Sequence, residues 1–95
     1  MAKGDHTFLI GGIRTLWRYC RLKGGAEGWT YDRTAASPRI LIHSGLRKRR
    51  RLEVEIHEFL HMSYPNLSEE AVTEAGRELS TILWKLYDIR EREKK

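Results

Sequence analysis

The chain has one cysteine, two prolines and no apolar run as long as a membrane span; Phe8-Leu9-Ile10 is among its longest. A lone Cys20 cannot form a disulfide within the chain, so the domain folds without that covalent link and suits a reducing compartment. The N-terminal residues also lack the long apolar core of a signal peptide. These absences predict a cytoplasmic protein with no membrane partner.

The sequence has no Gly-x-Gly-x-x-Gly loop and no Walker-type phosphate loop, and 95 residues are too few for a doubly wound dinucleotide domain or a (β/α)₈ barrel. With 40% hydrophobic and 33% charged residues, the composition is that of one small globular domain. Large cofactor-binding folds are therefore excluded.

Positive charge is in excess, with 18 Lys and Arg against 13 Asp and Glu, a formal net charge of +5. The surplus is concentrated in residues 47–51 and in the tail 90–95, whereas residues 53–78 are acidic. Such runs can bind phosphate, which makes nucleic acid an alternative partner. Neither run is interleaved with aromatic residues, so we favour a solvated helix start and a frayed, mixed-charge tail.

Hydrophobic patterning divides the chain near residue 45. Residues 8–45 hold three alternating, β-branched and aromatic segments at 13–22, 28–32 and 39–44, each ended by a turn signal. Residues 48–62 and 68–89 have helical periodicity; Pro65 separates them, and Ser68 is placed to cap the second helix. We predict an α+β domain in which a mostly antiparallel sheet of about three strands packs against two helices, followed by the charged tail 90–95.

The apolar residues of each predicted helix define the face expected to be buried. In the first helix these are Leu52, Ile56, Phe59 and Leu60. In the second helix they are Val72, Ala75, Leu79, Ile82, Leu83 and Leu86. Trp17, Trp29 and Trp84 are expected to complete the core.

The first helix carries His57-Glu58-Phe59-Leu60-His61, a His-Glu-x-x-His motif. Residues four apart lie on one helix face, so His57 and His61 can bind a single Zn²⁺ ion. Both are nearly opposite the apolar residues of that helix, which argues against a role in the core. Glu58 lies to the side of the pair, where its carboxylate can take a proton from a zinc-bound water.

A catalytic zinc site needs a third protein ligand and leaves the fourth position to water. The second helix begins soon after His61, and its candidate ligands are Glu69, Glu70, Glu74 and Glu78. Glu70 and Glu74 point largely away from the expected inward direction, and Glu69 is nearest to the connecting loop. Glu69 is therefore the first choice, and Glu70 is the alternative because helix starts are uncertain by a residue or two.

Residues 39–86 resemble the zincin metallopeptidases, in particular the minimal gluzincin-like and ImmA/IrrE-like domains of phages and bacteria. In the latter domains a glutamate ligand opens the second helix and is followed by apolar and small residues, a frame that Glu69, Val72, Ala75, Gly76 and Leu79 fit. The resemblance implies that Glu69 is a ligand and that residues 39–44 form the edge strand beside an extended peptide substrate. The further histidine ligand of SprT-type and metzincin proteins is absent.

Two further residues are candidate contacts to substrate or to the transition state. His43, on the predicted edge strand, can donate a hydrogen bond to a tetrahedral intermediate, and Tyr64 offers a hydroxyl just after His61. Exposure to solvent for His43 and packing at the helix junction for Tyr64 are the competing interpretations.

The sequence therefore predicts a small intracellular zinc metallopeptidase, a hydrolase that acts on a peptide or protein substrate and holds one Zn²⁺ ion. The alternative is a non-catalytic, zinc-stabilised or degenerate zincin-like module that binds nucleic acid or a protein partner. Glu58 favours the enzyme, because a structural zinc site has no use for a general base.

Overall fold

The computed structural model describes residues 4–87 and shows the predicted α+β architecture, with one more strand than expected. The elements in chain order are β1 (Asp5–Ile10), β2 (Ile13–Cys20), β3 (Gly28–Tyr31), β4 (Arg39–His43), α1 (Lys48–Ser63) and α2 (Glu69–Tyr87). The predicted end of the second helix, at residues 88 and 89, and the tail 90–95 lie outside the described residues.

The additional strand, β1, forms a hairpin with β2. Ile10 pairs with Ile13, so only Gly11 and Gly12 form the turn, with φ of +58° and +79°. Two-residue hairpin turns with positive φ at both positions favour glycine, which makes Gly-Gly the local signal for this hairpin. Four of the six β1 residues are exposed, so the strand lacks the apolar alternation by which the others were found.

The sheet order is β1-β2-β4-β3, with β2 and β4 parallel and both outer pairs antiparallel. The prediction that residues 39–44 form an edge strand is therefore wrong, because β4 lies inside the sheet and β3 is at the edge. Ile40 and Ile42 are fully buried. A strand with a continuous apolar run such as Ile40-Leu41-Ile42 is typical of the interior of a sheet.

The layers are the sheet, then α1, then α2. Helix α1 contacts β1, β3 and β4, and its buried side chains Val54 and Met62 join the core cluster with Ile10, Ile40 and Ile42. Helix α2 packs on α1 and, among the described residues, contacts no strand. The described residues thus cover helix α1 on two sides and leave a third face of the helix open.

The predicted buried helix faces are only partly correct: Val72 is buried as predicted, but the other buried helix residues are not among those expected. The buried residues of α1 are Val54, Glu58 and Met62, and those of α2 are Val72, Gly76 and Ser80. Phe59 is 40% exposed and Leu79 is 42% exposed. Periodicity located an apolar face on each helix. In α1, however, the sheet and α2 cover neighbouring faces, and in α2 the face that packs on α1 is displaced from the predicted one. An open apolar groove remains, lined by His6, Phe8, Trp17, Tyr19, Leu52, Glu55, Ile56, Phe59, Leu60 and Leu79.

Trp29 also departs from its predicted place in the core, since it is 54% exposed. It lies on β3, which has a neighbouring strand on one side only in the described part of the chain. Within residues 4–87, no helix has the length and apolar character that crossing a membrane requires.

Candidate metal centre

The two histidines of the motif lie side by side on α1. His57 and His61 are one helical turn apart, and their Nε2 atoms are separated by 3.1 Å. Their side chains are 21% and 28% exposed, so both imidazoles are partly sheltered and still reachable from solvent. This is the arrangement expected of two residues spaced by four on one helix.

The third member of the cluster comes from α2. Glu69 is the first residue of that helix, and its Oε2 lies 3.0 Å from His57 Nε2 while its Oε1 lies 2.9 Å from His61 Nε2. Ser68 fixes this helix start, because its Oγ accepts a hydrogen bond from Ala71 N at 3.1 Å. A carboxylate is also favoured at a helix N-terminus by the helix dipole.

The geometry separates the predicted ligand from its alternatives. In residues 4–87, His57, His61 and Glu69 form a group that could hold a metal ion, with one donor atom from each residue and all three atoms within 4.8 Å of one another. Glu70, Glu74 and Glu78 are exposed and stand outside this His/His/Glu cluster. The structure thus brings together the two histidines and the first-choice glutamate.

The cluster fits zinc in both donor type and spacing. Zinc favours imidazole nitrogen and carboxylate oxygen at about 2.0–2.2 Å, which places two tetrahedral ligands about 3.3 Å apart. The two imidazole Nε2 atoms are 3.1 Å apart, and each lies 2.9–3.0 Å from one of the two Glu69 carboxylate oxygens, which is close to this value. Two imidazoles and one carboxylate are also the donor set of a catalytic site that leaves one position open.

Glu58 lies next to the cluster, and a hydrogen bond from the edge strand β3 positions its side chain. Its side chain is part of the buried face of α1, and the residue is only 8% exposed. The Thr30 hydroxyl is 2.6 Å from Glu58 Oε1 and 3.1 Å from its carbonyl oxygen. Since Thr30 donates to one carboxylate oxygen, the orientation of the other is also fixed.

The absence of a side chain at Gly28 makes room for that carboxylate. A Cβ at Gly28 would lie 2.7 Å from Glu58 Oε2, 2.8 Å from Glu58 Cγ and 2.9 Å from Val54 Cγ1. Cβ atoms essentially never come this close to other heavy atoms, so a side chain at residue 28 would force Glu58 and Val54 to shift.

We expect Gly28→Ala to displace Glu58 and to lower the free energy of unfolding by about 1–3 kcal/mol, the usual effect of overpacking. Chemical denaturation measures this loss. Gly76→Ala is the matched control, because a Cβ there would meet no atom closer than 3.4 Å and alanine favours the helix. Equal stability of the two variants would contradict the steric account.

The cluster opens into a groove between β3, α1 and the start of α2. The residues lining it are Gly28, Trp29, Thr30, Asp32, His57, Glu58, His61, Pro65 and Glu69. The contribution of β3, through Gly28, Trp29 and Thr30, was not predicted. The sequence contains no local signal for it, because these residues are brought beside His57 only by strand pairing.

An adjoining cavity shares Gly28, His57, Glu58 and Glu69 with the groove and extends to an ion pair. Arg50 Nε is 2.9 Å from Glu27 Oε2, and Arg50 Nη1 is 3.0 Å from Glu53 Oε2. The hydrogen bond from Arg50 holds the pKa of Glu27 below its usual value. This end of the groove therefore presents paired charges.

The structure does not bring His43 and Tyr64 to the cluster. His43 Nδ1 accepts a hydrogen bond from Leu22 N at 3.0 Å, at the end of β4. Tyr64 is 59% exposed and lines a separate surface depression with Arg33 and Asn66. Neither residue lines the groove.

The basic run at residues 47–51 has acidic neighbours along most of its length. Arg49 pairs with Glu53, Arg50 pairs with Glu27 and Glu53, and Arg51 Nε lies 3.9 Å from Glu55 Oε2. These contacts reduce the charge that the run presents to a polyanion.

The chain was compared with protein-family models, with curated proteins and with solved structures, and none of the three comparisons gives a match.

Proposed function

We propose that this protein is a cytoplasmic zinc-dependent peptidase whose ion is held by His57, His61 and Glu69. The observation that carries the proposal is the His/His/Glu cluster with a buried carboxylate, Glu58, beside it. A purely structural metal site normally has four protein ligands and needs no general base. Three donors, a neighbouring carboxylate and an open groove fit hydrolysis better.

Zinc bound by these residues would act as a Lewis acid, polarising a carbonyl group and lowering the pKa of water. Glu58 accepts the proton of the attacking water at Oε2, because Thr30 engages Oε1. The water oxygen bonds to the carbonyl carbon, and Glu58 then passes the proton to the amine nitrogen as the C–N bond breaks. Atoms and charges balance without any other reactant.

The substrate in this proposal is an extended peptide that adds to the outer edge of β3. Within residues 4–87, β3 pairs with β4 alone, and Gly28, Trp29 and Thr30 all line the groove. Strand addition is a common way to bind peptides irrespective of their sequence. The strand assigned to this role is β3, in place of the strand at residues 39–44 that the resemblance implied.

Elemental analysis of the purified chain, combined with hydrolysis of a broad peptide library, tests the proposal. We expect one zinc per chain and cleavage that a chelator stops and added zinc restores. Zinc content near zero after zinc supplementation would refute the metal site. Bound zinc without hydrolysis would favour a non-catalytic module that binds a protein or nucleic acid.

A further inference from the structure

Helix α2 carries a second pattern, independent of the metal centre. Val72, Ala75, Leu79, Ile82 and Leu86 recur at alternating spacings of three and four. This is the a/d repeat of a coiled-coil seam, in which one helix packs its apolar positions against another.

The C-terminal half of this seam is not covered by the described part of the chain. Val72 is fully buried, but Leu79, Ile82 and Leu86 are 42%, 50% and 69% exposed. Helix α2 meets α1 through Gly76, which packs near Glu53 and His57, and through Ser80, which lies 3.1 Å from Arg49 Nη1. At about 100° per residue, the three exposed residues point about 100–160° away from Ser80.

The exposed seam is continuous with the apolar groove, since Leu79 belongs to both. Five large hydrophobic residues, each 40–69% exposed, make up this surface: Phe8, Phe59, Leu79, Ile82 and Leu86. Half-exposed side chains of this size offer roughly 450 Å² in total, which is in the range of the largest apolar patch on a monomer. Two such surfaces give about 900 Å², the size of a weak interface.

The charges beside the seam indicate which partner fits it. In this repeat Leu79 and Leu86 are a positions and Ile82 is a d position. Glu78 and Lys85 each precede an a position, so they occupy successive g positions on the same side of the seam. When two copies of α2 run antiparallel with Leu79 opposite Ile82, Glu78 of each copy lies nearest to Lys85 of the other. Both pairs are then attractive, and the arrangement has two-fold symmetry.

We propose that the protein forms a homodimer through antiparallel pairing of α2 with α2 of a second copy, with Leu79, Ile82 and Leu86 at the centre of the interface. The groove beside the metal centre is built from β3, α1 and the first residue of α2, so it stays open in the dimer. The proposal is therefore independent of the peptidase assignment.

Sedimentation equilibrium of the full chain tests the dimer. At about 100 µM, above the micromolar dissociation constants of weak interfaces of this size, we expect twice the 11.2 kDa chain mass. Ile82→Glu with Leu86→Glu should weaken dimerisation roughly a hundredfold or more, because each copy loses two apolar contacts. Leu9→Glu is the matched control, since Leu9 is 76% exposed on β1 and outside the seam. Melting curves verify that each variant is folded.

Charge reversal distinguishes antiparallel pairing from other modes of association. Glu78→Lys or Lys85→Glu alone should weaken the dimer about tenfold, and the double variant should regain the wild-type dissociation constant. Glu74→Lys, an exposed reversal outside the g positions, should have little effect. A wild-type chain that stays monomeric at this concentration would overturn the proposal and point to a different protein or another segment as the partner. Failure of the double variant to recover would overturn the antiparallel arrangement.

Discussion

Replacing Glu58 with Gln is expected to reduce peptide hydrolysis by about 10²–10⁴-fold, the usual contribution of a general base. Glutamine has nearly the same shape but cannot accept the proton of the attacking water. Its amide oxygen can still accept the hydrogen bond from Thr30, which is 2.6 Å from Oε1 in the wild type. The fold and the three metal donors should therefore remain, and the loss should appear in kcat with one zinc per chain retained.

Two companion variants separate the chemistry from the packing. Glu70→Gln makes the same chemical change at an exposed position outside the His/His/Glu cluster, and it should hydrolyse peptide at the wild-type rate. Thr30→Val removes the hydroxyl that orients Glu58, so we expect an intermediate loss in kcat with zinc content unchanged. If Glu58→Gln hydrolysed peptide at the wild-type rate, Glu58 would not be the general base.

Zinc is expected to raise the melting temperature of this chain by about 10–20 °C when present at a hundredfold excess over its dissociation constant. Ligand binding at that excess contributes about 2.7 kcal/mol, and each kcal/mol shifts the melting temperature of a domain this small by about 4–8 °C. The effect has a structural reason, because two donors lie on α1 and the third begins α2. A bound ion joins two helices whose direct packing includes small residues such as Gly76 and Ser80.

Differential scanning calorimetry with zinc and with a chelator measures this shift in the wild type and in variants. His57→Ala and Glu69→Ala should abolish most of the zinc-induced rise, while their melting temperatures without zinc stay close to the wild-type value. Glu70→Ala, which removes a neighbouring exposed carboxylate, should retain the full rise. A rise of equal size in Glu69→Ala would show that zinc stabilises the chain at some other place.

Local sequence patterns were sufficient for the helices and for three of the four strands. Several features of the site involve only a few neighbouring residues, so they can be identified without tertiary information: the spacing of His57 and His61, the cap at Ser68 and the acidic start of α2. The cluster of His57, His61 and Glu69 followed from the same local rules, because a short connection joins the two helices. The β1 hairpin was missed although Gly11-Gly12 is a local signal, since the strand is mostly exposed and lacks alternation.

Long-range packing decided what those patterns could not. Periodicity located the apolar faces of α1 and α2, but it cannot say which neighbouring element covers them. The sheet and the α1–α2 contact bury the faces that carry Val54 and Gly76 instead. Trp29 was assigned to the core by residue type, and its position on an edge strand left it exposed beside the groove.

The sequence by itself determined the chemistry available to this protein: two imidazoles one helical turn apart, a carboxylate between them and a glutamate at the next helix start. Those features depend on helical geometry, which is the same in any fold. Only the tertiary structure decided that β3 is the edge strand beside the cluster, that Thr30 and Gly28 accommodate Glu58, and that residues 4–87 leave Leu79, Ile82 and Leu86 uncovered. These outcomes depend on strand order and on which helix faces meet, and residues far apart in the chain determine both.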